Sequence, residues 1–151
     1  MMFALGTYPG GMDNDGRLIL PERYGEELKP GVVLTKGQER CLYVFPRTRF
    51  VEITEPLRSA PFTDKKRRQF SRVLFASAAD LIPDEHGGIT IPKGLREYAF
   101  LKSKCIVIGV NDRLEIWAAE AWNAYRAAQE DGFSAWPGET PPEFEDGQSE
   151  E

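Results

Sequence analysis

Polar and apolar residues alternate in "GITIP" at 88–92, its counterpart "RLILP" at 17–21 is a short β-rich run with an apolar triplet, and a proline closes each. Alternation puts one row of side chains on a buried face and marks a strand, while the proline suits the first turn of a helix. The next segments, "ERYGEEL" and "KGLREYA", read as single short helices. Two more alternating strands follow in each half. They lie in "VVLTKGQERCLYVF" and "CIVIGVNDRLEIW", with Lys36 and Gly37 or Asn111 and Asp112 at the turn. Each half thus predicts strand, turn, strand, short helix, strand, strand. Helical spacing recurs in "TRFVEITEPL", through Phe50, Ile53 and Leu57, and in "EAWNAYRAAQE", through Trp122 and Tyr125. Between the halves, "TDKKRRQFSRVLFASA" predicts a helix capped by Thr63 or Asp64. Its Phe70, Val73, Leu74 and Ser77 share one face. The opposite face carries Lys65, Arg68 and Arg72 and turns to solvent or a partner.

The two halves are copies. At an offset of 71 residues, Asp13 falls on Asp84, Gly16 on Gly87, Leu18 on Ile89, Leu20 on Ile91 and Pro21 on Pro92. With small length changes "VVLTKG" then faces "IVIGVN", "RCLYVFP" faces "DRLEIWA", and Phe50 meets Trp122. A unit of about 45 residues is too small to bury much surface alone. The two units are therefore expected to pack as one pseudo-symmetric α+β domain.

Composition changes this picture in three ways. The 151 residues, 41% of them hydrophobic, suffice for a real core. No apolar run approaches the ~20 residues of a transmembrane helix, and the N-terminus lacks a leader pattern, so a soluble cytoplasmic chain is expected. Cys41 and Cys105 sit in apolar strand-like runs and read as buried free thiols. The net charge of −5 opposes a nucleic-acid partner only until its distribution is considered. Residues 139–151, "ETPPEFEDGQSEE", hold six acids and no base, which leaves +1 for residues 1–138. The composition of that tail predicts disorder.

The first turn, "DNDGR", combines Asx residues that bond nearby amides with a glycine that permits positive φ. Asp13 holds the turn or orients Arg17. The arginine either pairs locally with Asp13 on a solvated surface or reaches outward to guanine edges and phosphate. In the second turn Gly88 occupies the position of Arg17, and after the helix-starting proline Gly25 occupies the position of Arg96. His86, the one histidine, sits in this altered turn and reads as solvated.

These residues carry a resemblance. "DNDGRLILP", "LREYA" and "RLEIW", within a duplicated body over roughly residues 2–126, resemble the MraZ family of bacterial transcriptional regulators, built from two SpoVT/AbrB-type repeats. The resemblance implies a duplicated swapped-hairpin β-barrel with short flanking helices about a pseudo-twofold. Its implied domains are repeat 1 at 5–50, linker helices with the basic cluster at 51–77, repeat 2 at 78–121, and a helix end with the acidic tail at 122–151. It also implies a ring of protomers in the nucleoid, repressing the division and cell-wall gene cluster by binding promoter direct repeats. Under that reading the DNA-binding candidates are Arg17, Asp13, Asp84, Lys93 and Arg96, with the two aspartates shaping their turns. Lys93 or Arg96 is a candidate to take the place of the arginine absent at Gly88. One such loop per protomer is compensated by avidity in the ring. The bases Lys65, Lys66, Arg67, Arg68 and Arg72 read mainly as a solvated helix face.

Enzyme readings have little support. A His-dependent triad would have to use His86, and no G-x-S-x-G, P-loop or paired C-x-x-C occurs. "DNDG" is similar to a calcium loop, but its fifth position is Arg17 and its twelfth Tyr24, where oxygen ligands are required. Catalytic residues, metals, cofactors and small-molecule substrates are accordingly not expected. The competing class is an oligomeric protein-interaction module that has lost specific DNA binding.

Overall fold

The computed structural model describes residues 2–138; the acidic tail expected to be disordered lies outside the described residues. In chain order the elements are β1 (Thr7–Gly11), β2 (Arg17–Ile19), a 3-10 turn (Glu22–Tyr24), α1 (Gly25–Leu28), β3 (Val32–Lys36) and β4 (Leu42–Pro46). The linker forms α2 (Arg47–Ile53), α3 (Glu55–Ser59) and α4 (Lys65–Ser77). The second half supplies β5 (Ala79–Leu81), β6 (Gly88–Thr90), α5 (Lys93–Tyr98), β7 (Lys104–Val110), β8 (Arg113–Ala118) and α6 (Ala119–Ser134). The expected order of elements recurs in both halves.

All strand pairs are antiparallel, in a six-stranded sheet of order β1-β7-β8-β4-β3-β5 and a two-stranded ribbon of β2 with β6. This corrects the expected barrel: the strands of the described residues do not close on themselves. Exchanging equivalent strands, β1 with β5, β3 with β7 and β4 with β8, reproduces the sheet order read backwards. A pseudo-twofold therefore passes between β4 and β8, where Tyr43 faces its equivalent Glu115, and through the ribbon, where Leu18 faces its equivalent Ile89. Each unit's first strand is donated to the other: β1 pairs with β7, and β5 with β3. The donation answers the size problem, because a single unit has neither the sheet nor the core to stand alone.

The main core fills the space between ribbon and sheet. Leu18, Leu20, Ile89 and Ile91 from the ribbon meet Leu34, Leu42, Val44, Leu114 and Ile116 from the sheet, all nearly inaccessible. The opposite sheet face carries two smaller equivalent clusters. Phe50 of α2 packs on Phe45 at 6.0 Å between ring centroids, and Trp122 of α6 packs on Trp117 at 5.2 Å. Cys41 and Cys105 are buried free thiols, as expected; desolvation pushes both thiols upward.

Some local expectations hold and others shift. The β7–β8 turn falls at Asn111 and Asp112, with Asn111 at φ 62, as expected. The β3–β4 connection instead turns at Glu39 and Arg40, both in the left-handed region, because Gly37 still pairs with Cys41. Asp64 does cap α4, accepting from the Arg67 amide at 3.1 Å. No residue of α4 is buried, however, and Phe70 and Val73 remain more than half exposed, so its apolar face is not sealed.

Truncating Leu18 to alanine at the centre of the ribbon is expected to cost about 2–5 kcal/mol, the range for a buried leucine with little room to collapse. Ile19→Ala, on the solvent side of the same strand, is expected to cost less than about 1 kcal/mol. Urea unfolding of both variants checks the ribbon's register, since a one-residue slip would reverse the ranking.

Candidate nucleic-acid interface

The ribbon ends in two turns built alike. In the first, Asp13 Oδ1 accepts from the amides of Asp15 and Arg17, each at 2.9 Å. In the second, Asp84 Oδ1 accepts from His86 and Gly88, again at 2.9 Å. Each aspartate also closes a backbone ring: Asp13 N–H donates to the Arg17 carbonyl at 3.0 Å, and Asp84 N–H to the Gly88 carbonyl at 2.9 Å. Gly16 at φ 89 and Gly87 at φ 81 adopt the left-handed conformation that these turns need. The turns are cross-tied as well. Leu20 N–H donates to Gly87 at 2.9 Å, and its equivalent Ile91 N–H donates to Gly16 at 2.8 Å.

Arg17 does not pair with Asp13. Its Nε and Nη2 donate to Asp84 Oδ2 at 3.0 and 2.9 Å, across the pseudo-twofold. One carboxylate thus performs two tasks, with Oδ1 capping its own turn and Oδ2 holding the other unit's arginine. Both aspartates are easily ionised. The Arg17 amide leads the causes that lower Asp13, and the Gly88 and His86 amides, with the Arg17 guanidinium, hold Asp84 near a pKa of about 2.

The Arg17 guanidinium lies over Gly88: a Cβ at position 88 would come 2.5 Å from Arg17 Nη2, a contact that the flexible end of the arginine relieves by shifting. Arg96 does the mirror-image job. From α5 it leans over Gly16, where a Cβ would come 2.9 Å from its Cζ. Arg17 thus lies over the second turn and Arg96 over the first. Arg96 Nε is buried with no partner among the described residues, and Lys93 is exposed, 4.0 Å from Glu97. His86 is exposed in its turn, 3.7 Å from Glu85.

The structure thus brings Asp13, Arg17, Asp84 and Arg96 together around one ribbon, with Lys93 at the start of the adjoining helix. The linker bases stand apart on α4, where Arg67 pairs with Asp64 at 3.6 Å and Arg68 donates to the Phe62 carbonyl at 2.7 Å. Sequence reading missed Glu115. This nearly buried carboxylate sits on the pseudo-twofold and accepts from Arg113 at 2.7 Å and from Trp117 Nε1 at 3.0 Å. Its signal was available, since Glu115 is the acidic interruption of an apolar strand, but nothing local names its partners.

The Asp84 carboxylate makes stability depend on acid. Its folded pKa lies below the unfolded value of 3.8, so its contribution is fully present above that value and disappears as pH falls toward about 2. Asp84→Asn is expected to flatten the acid limb of a stability-versus-pH curve in that window. Thermal unfolding between pH 5 and pH 2, run beside wild type, measures it.

Comparison with known proteins agrees with this duplicated architecture. The model of the MraZ protein family matches twice in succession, at residues 2–73 and 74–140. Proteins called transcriptional regulator MraZ are similar over 130 residues, covering 86% of this chain and 91% of each relative. Identity is 52% for Frankia casuarinae, 54% for Thermobifida fusca and 48% for Micrococcus luteus. With two family matches spanning both halves and relatives this similar over most of its length, the chain belongs to the MraZ family.

Proposed function

We propose that this protein is a transcriptional regulator that binds duplex DNA through the β2–β6 ribbon and its turns. The observation that carries the reading is the union of two equivalent aspartate-shaped turns on one ribbon, each overlain by an arginine of the other unit. Asp84 engages only the Nε and Nη2 side of the Arg17 guanidinium, and the fork has a second edge with which to meet guanine O6 and N7. Lys93 and Arg96 supply positive charge for phosphate beside the first turn. The names of the relatives support the same class of function.

Finer features of the family follow under the same proposal. The ribbon with its exchanged strands is an open version of the AbrB-type swapped-hairpin barrel. Because Arg17 has no counterpart at Gly88, and Arg96 none at Gly25, the surface has a direction, as suits direct repeats better than a palindrome. Protomers in a ring would read several repeats at once and raise avidity without further contacts. The site of action is the nucleoid, and the regulated genes are those of division and the cell wall, under repression.

Anisotropy titrations over a salt series, using the duplex upstream of the protein's own gene and a scrambled control, test this. Arg17→Ala is expected to lose about 1–3 kcal/mol of preference for the native duplex. Lys93→Ala is expected to weaken both duplexes alike and reduce the log–log salt slope by about 1. Equal, weak binding of both duplexes by wild type would favour the protein-interaction module, which the net charge of −5 and the prior pairing of Arg17 with Asp84 motivate.

A further inference from the structure

The two aspartates of the ribbon turns differ in one oxygen. Each commits its Oδ1 to two amides of its own turn. Asp84 Oδ2 also accepts from Arg17 Nε and Nη2, whereas Asp13 Oδ2 accepts from nothing among the described residues. The pseudo-twofold gives the cause. The side chain that would reach Asp13 as Arg17 reaches Asp84 belongs to position 88, and that residue is glycine. A carboxylate oxygen is thereby left open on an exposed turn.

That oxygen is suited to accept and not to donate. The amides on Oδ1 hold the carboxylate in one orientation, and the Arg17 amide leads the causes that lower the Asp13 pKa, so at neutral pH the group carries no proton. The pairing of Arg17 with Asp84 shows that the equivalent oxygen faces outward far enough to receive N–H donors. Lys93, Arg96 and Lys102 stand beside the first turn, around a shallow hollow that Met12 also lines. Their positive charge offsets the repulsion between the carboxylate and neighbouring phosphates.

Among the base edges of the major groove, a single free oxygen that only accepts suits cytosine. Cytosine shows its N4 amine alone. Adenine sets its N6 amine beside the N7 acceptor, and guanine O6 and N7 and thymine O4 are acceptors that a carboxylate repels. We propose that Asp13 is a specificity-determining residue, whose Oδ2 accepts from the N4 amine of one cytosine in the DNA site. The inference rests on the DNA reading of the ribbon and extends it. The second turn presents the donor edge of Arg17 to guanine, and the first turn presents an acceptor to cytosine. Asp84, with both oxygens engaged, has no such role.

Asp13→Asn tests the assignment, because an asparagine oxygen still accepts from the turn amides while the other oxygen is replaced by an NH2 donor. Asp15→Asn removes the same charge from the same turn without touching that oxygen. The duplex upstream of the protein's own gene, carrying each single base-pair substitution in turn, is titrated with wild type and both variants by anisotropy. Wild type is expected to prefer cytosine at the contacted position by about 10- to 100-fold, and Asp13→Asn to lose that preference there alone. Asp15→Asn is expected to keep it. Asp13→Ser, whose hydroxyl can cap the turn but leaves no second oxygen, is expected to behave as Asp13→Asn and serves if the asparagine variant does not fold. Preferences unchanged in these Asp13 variants, or weakened evenly at every position as a distorted turn would weaken them, would overturn the proposal. So would relaxation at a position where wild type prefers another base. If wild type discriminates at no position, the DNA reading of the ribbon fails, and this assignment with it.

Discussion

Neither half of this chain can complete a sheet or a core, and the structure follows from that constraint. Each unit gives its first strand to the other's hairpin, and the two short strands after the turns close on each other with Leu18 against Ile89. The ribbon has only three residues per strand, too few to persist alone in water. Its stability comes from four aliphatic side chains pressed on the sheet and from the backbone ties that run from each turn to the opposite unit. Ribbon and core are thus one cooperative object. Whatever the turns contact is backed by the most buried part of the molecule.

Duplication created equivalent positions, and divergence made them complementary. With glycine at 88, the Arg17 guanidinium lies directly over the second turn and reaches the Asp84 carboxylate. The pairing holds a long, flexible side chain in one direction before any ligand arrives, which lowers the ordering cost of binding. Its exposed setting keeps the pair weak enough to yield to a phosphate or base edge.

Much of this was legible beforehand because periodicity and turn chemistry are local. The alternating runs, the prolines that close them, the Asx-Gly turns and the 71-residue offset gave the correct elements in the correct order. The shared packing of Phe45 with Phe50 and of Trp117 with Trp122 also answers to the duplication, one residue further on. Closure into a barrel did not follow, since strand number and alternation say nothing about whether a sheet's edges meet. The β3–β4 turn slipped past Lys36 and Gly37 because a longer connection with two left-handed non-glycine residues has no strong sequence mark.

The sequence by itself determined that the protein is a tandem duplication, where its strands and turns lie, and that Asp13 and Asp84 would bind their own turns. Those properties depend on residues within a few positions of one another. Only the tertiary structure decided that Arg17 belongs to Asp84, 67 residues away, and not to Asp13 four residues away. Asp13 Oδ1 is committed to the amides of its own turn. Strand pairing across the pseudo-twofold brings the second carboxylate, and the space above Gly88, within reach of the guanidinium.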